Sequence, residues 1–184
     1  IIATGQDIHY DISYRNNGTS PTTQTFIVDH IPNKTIFKKA YTSGTDPDTL
    51  TTYTCWNCQV YFSDDPIPGA LSVANPITVT DISGWTLGVE SSPGIWDAPG
   101  SVPDPLWVAW GVSTTDPGSG LPFILPTASA GGLGVVGLAV TNDDDQYGVG
   151  TAGSVTGTVL TNSPAILSAE LPQAIDNQVQ TTIL

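Results

Sequence analysis

The sequence predicts an all-β protein, an antiparallel β-sandwich with a Pro-rich middle insertion. Charged residues make up only 11% of the chain, whereas Thr, Ser, Asn, Gly and Pro are abundant. This composition favours strands and turns over helices. Several short segments alternate polar and apolar residues with the two-residue period of a half-buried strand, and turn-forming residues separate them. Many short strands with turn signals between them are typical of a sandwich.

The first third of the chain is predicted to hold three strands. Asp7–Tyr14 alternates polar and apolar residues along its whole length. The cluster that follows contains Asn17-Gly18, the strongest local turn signal in this part of the chain. Thr25–Asp29 and Thr35–Tyr41 are rich in β-forming residues, so they are predicted as the second and third strands.

The middle of the chain, residues 63–105, is predicted to be an irregular insertion or a set of long loops over one end of the sandwich. It contains seven prolines, which interrupt regular strands. Short strands are expected at Ile77–Thr80 and Trp85–Val89. Closing strands then complete a single domain over residues 1–184, and they are expected at Leu106–Val112, Gly134–Val140, Gly153–Leu160 and Asn177–Leu184.

The charge of the chain is strongly acidic. The formal net charge is −13, and the four basic residues all lie within the first 39 positions. Such a chain repels phosphate backbones, so we expect no nucleic-acid partner, and anionic membrane surfaces are disfavoured for the same reason. The longest apolar run, Gly131–Val140, is short and rich in Gly, so no membrane insertion is expected.

The two cysteines, Cys55 and Cys58, allow three interpretations. A structural zinc site needs a second pair of ligands, and His9 and His30 lack paired ligand spacing. A redox-active Cys-x-x-Cys usually opens a helix, whereas β-forming residues flank this one. The favoured interpretation is a disulfide across a hairpin whose tip is Trp56-Asn57. A disulfide implies an oxidising compartment, and hence an extracellular protein.

Five sequence elements occur in a characteristic order: Gly5–Gly18, Val28–Pro32, Trp110–Val112 with Asp116–Gly118, Thr161–Ile166 and Asp176–Ile183. Together they resemble the conserved repeat family of bacterial and archaeal surface proteins known as domain of unknown function eleven. The resemblance implies an immunoglobulin-like β-sandwich in a surface protein or appendage, and it implies no catalytic residues. The chain departs from the family pattern at the cysteines and in the Pro-rich stretch from Asp64 to Pro105.

Two acidic clusters are candidate calcium ligands. Adjacent Asp residues at loop ends can supply several of the oxygen ligands that calcium requires. The spacing does not fit an EF-hand loop, so solvated acidic turns are the alternative. Calcium is the one cofactor that the sequence suggests, and the candidate ligands are Asp64, Asp65, Asp143, Asp144 and Asp145.

Further candidate sites lie on tryptophans, sequons and lysines. Trp56 at a hairpin tip and Trp107 on a strand face could contact a glycan or a protein partner, with core packing as the alternative. Asn17 and Asn33 begin glycosylation-type sequons. A covalent lock between a lysine and an asparagine is another possibility, with an acid assisting the reaction, and its candidate residues are Lys38 or Lys39, Asn177 and Glu170.

These features predict an extracellular structural module, a subunit of a surface filament, appendage or surface layer. Its partners are expected to be other copies of itself or neighbouring surface-protein domains. The contacts would be strand-mediated, through the apolar residues Ile1, Ile2, Ile183 and Leu184. The alternative is an adhesin-type module that binds a glycan or protein. We expect no enzyme, because no Gly-x-Ser-x-Gly element accompanies the two histidines.

Overall fold

The structure, a computed structural model, describes residues 7–33, 35–55, 57–65, 79–112, 124–142, 159–162, 164–170, 175–176 and 179–182. A four-residue helix, α1 (Val79–Ile82), and a 3-10 turn at Ala128–Ala130 accompany fifteen described strands. The strands are β1 (Asp7–Arg15), β2 (Phe26–His30), β3 (Thr35–Tyr41), β4 (Ser43–Thr45), β5 (Thr52–Thr54), β6 (Gln59–Ser63), β7 (Thr86–Leu87), β8 (Val89–Ser92), β9 (Ile95–Asp97), β10 (Trp107–Gly111), β11 (Leu133–Asn142), β12 (Val159–Asn162), β13 (Ala165–Leu167), β14 (Ile175–Asp176) and β15 (Val179–Thr182).

The strands form two main antiparallel sheets, which confirms the predicted all-β fold. The five-stranded sheet has the order β1-β11-β3-β9-β8, and the six-stranded sheet has the order β14-β13-β2-β10-β6-β7. Two small sheets, β12-β15 and β4-β5, accompany them. Consecutive strands often belong to different sheets, so the chain crosses repeatedly between the two layers, as it does from β2 to β3.

The main core lies between the two sheets. Ile8 and Leu138 contribute to it from the five-stranded sheet, and Val60 and Trp110 contribute from the six-stranded sheet. Because successive side chains of a strand point to opposite faces, the alternation in β1 places Ile8 and Tyr10 inside this core. The arrangement is that of a β-sandwich.

The outer face of the six-stranded sheet is also covered. All five residues of β10 are buried, so this strand has no solvent-facing side. On the outer face, Trp107 packs in a second cluster with Phe26 and Ile82, the last residue of α1. The helical turn at Val79–Ile82 overlaps the last two residues of the strand that was predicted at Ile77–Thr80, and the first two residues of that prediction lie outside the described residues.

The described part of the Pro-rich stretch supplies an edge strand to each of the two main sheets. β7 pairs with β6 at the edge of the six-stranded sheet, and β8 pairs with β9 at the edge of the five-stranded sheet. Gly88 lies between β7 and β8, where a Cβ atom would collide with the ring of Phe62. The strand predicted at Trp85–Val89 is therefore split at Gly88 into two short strands.

The β4-β5 hairpin covers the outer face of the five-stranded sheet. Tyr53 of β5 packs with Tyr41 and Ala139 in a third apolar cluster. A Cβ atom at residue 137 would collide with the Tyr53 ring, so Gly137 lets the hairpin approach the backbone of β11. The hairpin thus forms an additional layer on the sandwich.

The turn at the cysteines differs from the prediction. Cys55 and Cys58 lie at disulfide-bonding distance, with Cα atoms 5.4 Å apart, as predicted. The flanking strands, however, do not form a hairpin with each other, because β5 pairs with β4 and β6 pairs with β10. The predicted hairpin is therefore wrong. The cysteine turn instead links the outer β4-β5 layer to the six-stranded sheet.

Candidate functional site

The edge of the five-stranded sheet at β1 is the first candidate contact surface. β1 pairs with β11 over nine consecutive residue pairs, from Asp7 to Arg15, without a register shift. No other described strand pairs with β1, so its second edge is open within the described residues. At ~3.4 Å per residue, a nine-residue edge extends over about 30 Å.

The other edge strands are less suited to pairing with a neighbour. β7 and β14 each have two residues, and β8 has four residues with an irregular register at Glu90 and Ser92. Short or bulged edges are common protections against intermolecular pairing. Among the described edges, β1 alone combines length with a regular register.

Polar contacts fix the face of β1 that points away from the core. Asp7 contacts Lys38 and accepts a hydrogen bond from Thr141 at 2.8 Å. The hydrogen bond from Lys38 is the main reason that the pKa of Asp7 lies below its ordinary value, against an opposing effect of burial. Asp11 accepts hydrogen bonds from Tyr53 at 3.0 Å and from Thr51 at 2.9 Å. These contacts tie β1 to β3, β11 and the β4-β5 hairpin.

A histidine and a buried aspartate anchor the loop between β4 and β5. Nδ1 of His9 lies 2.7 Å from Oδ2 of Asp46, whose side chain is fully buried. Asp46 also accepts hydrogen bonds from the backbone N–H of Asp48 at 2.9 Å and from the hydroxyl of Thr49 at 3.1 Å. The ring of Tyr41 stacks against His9. Because the carboxylate is fully engaged in holding the loop, the arrangement is structural.

A groove at the Arg15 end of β1 is the second candidate surface. It has a volume of about 360 Å³ and is lined by residues 15–22, Leu125, Ile166 and Glu170, among others. The Asn16 amide donates hydrogen bonds to the carbonyl oxygen of Ser20, at 3.0 Å, and to that of Leu125, at 3.2 Å. These bonds hold the turn after β1 against Leu125. A volume of about 300–1,000 Å³ is usual for ligand pockets.

The tryptophan predictions have different outcomes. The contact with a ligand that was suggested for Trp107 is wrong and the alternative, core packing, is correct, because the residue is 1% exposed. The expectation that Trp107 and Trp110 point to opposite faces is confirmed, since they belong to different apolar clusters. The sequence did not reveal that α1 and Trp85 cover the outer face. Trp56 lies outside the described residues.

The acidic clusters and sequons are only partly described. Asp64 and Asp65 are exposed after the end of β6, whereas Asp143, Asp144 and Asp145 lie outside the described residues. In the part of the chain that the structure describes, no group of three or more His, Cys, Asp or Glu side chains could hold a metal ion. Asn17 and Asn33 are both exposed outside strands, in positions that a glycan could reach.

The predicted covalent lock is not supported by the positions of its members. Lys38 contacts Asp7 and Lys39 contacts Asp97. Glu170 is exposed and accepts hydrogen bonds from the backbone N–H and hydroxyl of Thr23, which are the main reasons that its pKa is lowered. It is therefore not a buried acid. Asn177, like the predicted terminal contact residues Ile1, Ile2, Ile183 and Leu184, lies outside the described residues.

One buried polar pair was not predicted from the sequence. The amide of Asn162 donates to Oδ2 of Asp29 at 2.8 Å, and both residues are almost fully buried. Asp29 was predicted only as the end of a strand. Asp29 follows Ile27 by two positions in β2, so both side chains point to the core-facing side of the strand. This spacing is the signal in the sequence that could have identified Asp29 as a buried residue. Asn162 lies in Thr161–Ile166, one of the elements of the family resemblance, but no contact was predicted for it.

Comparisons with protein-family models and with curated proteins found no match to this chain. No protein-family model matches the chain, and no curated protein is significantly similar to it. The resemblance to the surface-repeat family therefore stays a prediction. No helix in the described residues is long and apolar enough to cross a membrane.

Proposed function

We propose that this chain is an extracellular structural module that joins neighbouring copies of itself through strand pairing. The observation that carries the proposal is the open edge of β1, with nine residues in regular register. Exposed edge strands are templates for an additional strand from another chain. Because a contact between two different surfaces can propagate, such pairing would build a filament or a surface layer.

Two further features support an extracellular setting. Cys55 and Cys58 are 1% and 5% exposed, so the disulfide that their distance allows would be protected from solvent. Structural disulfides persist in oxidising compartments. The exposed positions of Asn17 and Asn33 fit a secreted chain whose sequons are accessible.

The partner strand in this proposal is an apolar terminal segment of a second copy. Ile1 and Ile2 at one end of the sequence, and Ile183 and Leu184 at the other, combine apolar and β-branched side chains. Such side chains suit a strand that is buried on pairing. The open edge of β1 would receive the segment through backbone hydrogen bonds.

The experiment compares the full chain with a version that lacks residues 1–4. Sedimentation velocity and negative-stain electron microscopy would follow assembly over increasing protein concentration. We expect the full chain to form elongated assemblies and the shortened chain to remain monomeric. Equal assembly by the two proteins would exclude the first segment as the inserted strand, and a monomeric full chain would contradict the proposal as a whole.

A second candidate function is an adhesin-type module for a glycan or protein, and the groove near Arg15 favours it. Among the described basic residues, Arg15 is the one without an ion pair, and it lines this groove with the apolar Leu125 and Ile166. A monomer that is stabilised by a glycan or peptide would support this function. Loss of that stabilisation in Ile166→Asp, with Leu50→Asp as an exposed control, would locate the ligand in the groove.

A further inference from the structure

Two exposed apolar side chains lie together on one short segment of the Pro-rich stretch. Leu87 of β7 is 45% exposed and Val89 of β8 is 55% exposed, and all six residues of these two strands are exposed. Single exposed apolar residues are common on protein surfaces, but these two flank Gly88 and are presented side by side. We call the pair, Leu87 and Val89, the apolar ridge. It is a small apolar surface that a partner could cover.

Gly88 fixes the direction in which the apolar ridge points. A Cβ atom on Gly88 would collide with the ring of Phe62, which belongs to the main core. The backbone N–H of Gly88 donates a hydrogen bond to the carbonyl oxygen of Val60, at 2.8 Å. Because Gly88 faces the core, the side chains before and after it point to solvent. Since β7 and β8 belong to different sheets, both main sheets hold the ridge in place.

The groove near Arg15 lies on the opposite side of the sandwich. It is lined by the end of β1 and by β13, at one side of the two main sheets, whereas β7 and β8 end these sheets at the other side. Leu125, Ile166 and Leu167 give the groove an apolar lining. Leu125 and Leu167 are each 1% exposed, so packing fixes this lining. A concave apolar surface of this kind fits aliphatic side chains.

The charges beside the two surfaces are complementary. Two copies of a chain with a net charge of −13 repel each other, so a contact between copies needs a local attraction. Arg15 at the groove and Glu90 beside Val89 have no ion pair within the described residues. Glu170, the carboxylate of the groove, already accepts two hydrogen bonds from Thr23. Arg15 is therefore the charge of the groove that is left for a partner, and it suits a carboxylate.

We propose that the apolar ridge of one copy binds in the groove of a second copy, with Glu90 of the first beside Arg15 of the second. The two surfaces differ and lie on opposite sides of the molecule, so the contact can repeat from copy to copy. It uses side chains of described residues and no terminal segment. It therefore does not rest on the proposed strand pairing, and it adds a second surface to the assembly.

The contact is weak when it acts alone. Two side chains and one charge pair bury much less than the roughly 1,200 Å² of total surface at the lower limit of stable interfaces. A chain that lacks strand pairing therefore sediments as a monomer, although it forms the contact transiently. A covalent trap detects such a contact where sedimentation does not.

The test is cross-linking between two full-chain variants with a short bismaleimide, which joins thiols. Val89→Cys labels the ridge, and Ser20→Cys labels the rim of the groove. In a mixture of the two, we expect a cross-linked dimer with a yield several-fold above that of the matched control. The control replaces Val89→Cys with Leu50→Cys, an exposed apolar position in the loop between β4 and β5. Equal yields in the two mixtures would overturn the proposal.

The charge pair is tested in the same mixture. Arg15→Glu, added to the Ser20→Cys protein, should lower the yield several-fold, because two carboxylates then face each other. Glu90→Gln in the Val89→Cys protein removes the charge and keeps the oxygen that accepts a 2.7 Å hydrogen bond from Gly94. Arg15→Glu should then lower the yield much less. An equal effect of Arg15→Glu with both partners would contradict the contact between Arg15 and Glu90.

Failure of this contact and failure of the strand pairing are distinguishable. Removal of residues 1–4 tests the strand pairing, and the cross-link between Val89→Cys and Ser20→Cys should persist in the shortened protein. A full chain that assembles while this cross-link stays at the control level would overturn the ridge contact alone. Stabilisation by a glycan or peptide in the groove, with cross-linking at the control level, would assign the groove to a ligand and overturn the contact as well.

Discussion

Nδ1 of His9 in β1 lies 2.7 Å from the fully buried Oδ2 of Asp46, in the loop that joins β4 to β5. The two residues hold the β4-β5 hairpin against the five-stranded sheet. His9 belongs to β1, whose other edge pairs with no strand among the described residues. The loop carries Leu50, which is 77% exposed and has a positive φ of 61°. Such a backbone is uncommon for a residue with a branched side chain, so the loop needs the anchor.

Substitution of this anchor should lower the stability of the protein. Asp46→Ala removes the acceptor of hydrogen bonds from Asp48 and Thr49 and leaves His9 facing an empty position. We expect a loss of about 1–3 kcal/mol in the free energy of unfolding, measured by urea denaturation. Asp48→Ala is the control, because its side chain is exposed. Equal losses in the two variants would contradict the anchoring role.

Stability should also fall at high pH. Burial raises the pKa of Tyr14 and of Tyr41 to about 12, from an ordinary value of 10.0. The folded state therefore favours the neutral phenols, and this contribution is complete below pH 10.0 and is lost as the pH rises towards about 12. Unfolding free energies measured across this range should decline, and Tyr14→Phe should make the decline shallower. An unchanged slope in Tyr14→Phe would argue against a buried Tyr14 phenol.

Loss of the disulfide should have a modest effect. The cysteines are three positions apart, and closing so short a loop is worth about 2 kcal/mol by chain entropy. The double variant Cys55→Ala/Cys58→Ala should lose about this amount. A reducing agent should destabilise the unmodified protein and leave the double variant unchanged. If two free thiols are titrated in the unmodified protein after denaturation without a reducing agent, the cysteines are not bonded.

Added charge on the open edge should prevent assembly. Ser13 lies exposed within β1, and a lysine on an edge strand discourages pairing with another chain. Ser13→Lys should therefore shift the sedimentation coefficient to that of the monomer. Ser101→Lys places the same change at an exposed position outside the strands, and it should assemble as the unmodified protein does. Indistinguishable behaviour of the two variants would exclude the β1 edge as the contact.

The strands with a clear polar–apolar alternation were predictable from the sequence. β3 has the predicted bounds, Thr35–Tyr41, and β1 extends the predicted strand by one residue, Arg15. In β1 the local pattern and the burial agree, because Ile8 and Tyr10 meet the core and their neighbours do not. β3 was predicted from its β-forming residues, and its burial does not alternate because Ala40 and Tyr41 are both buried, in different apolar clusters. The opposite orientations of Trp107 and Trp110 follow from the same period.

Features that depend on distant partners were not predictable. The segments around Cys55 and Cys58 are both β-forming, yet each pairs with a strand from elsewhere in the chain. The burial of Trp107 depends on Ile82, which arrives from the Pro-rich stretch. The contact between Asp29 and Asn162 joins residues 133 positions apart. Local periodicity carries no information about which outer faces are covered or which polar groups meet.

Hydrogen–deuterium exchange along β1 tests the strand-pairing account most directly. Amides at an open sheet edge exchange readily, whereas those in a backbone ladder are protected. We predict that the β1 amides facing away from β11 become protected when the protein assembles, while the exposed loop around Leu50 exchanges as before. Equal exchange along β1 in monomeric and concentrated samples would contradict the account.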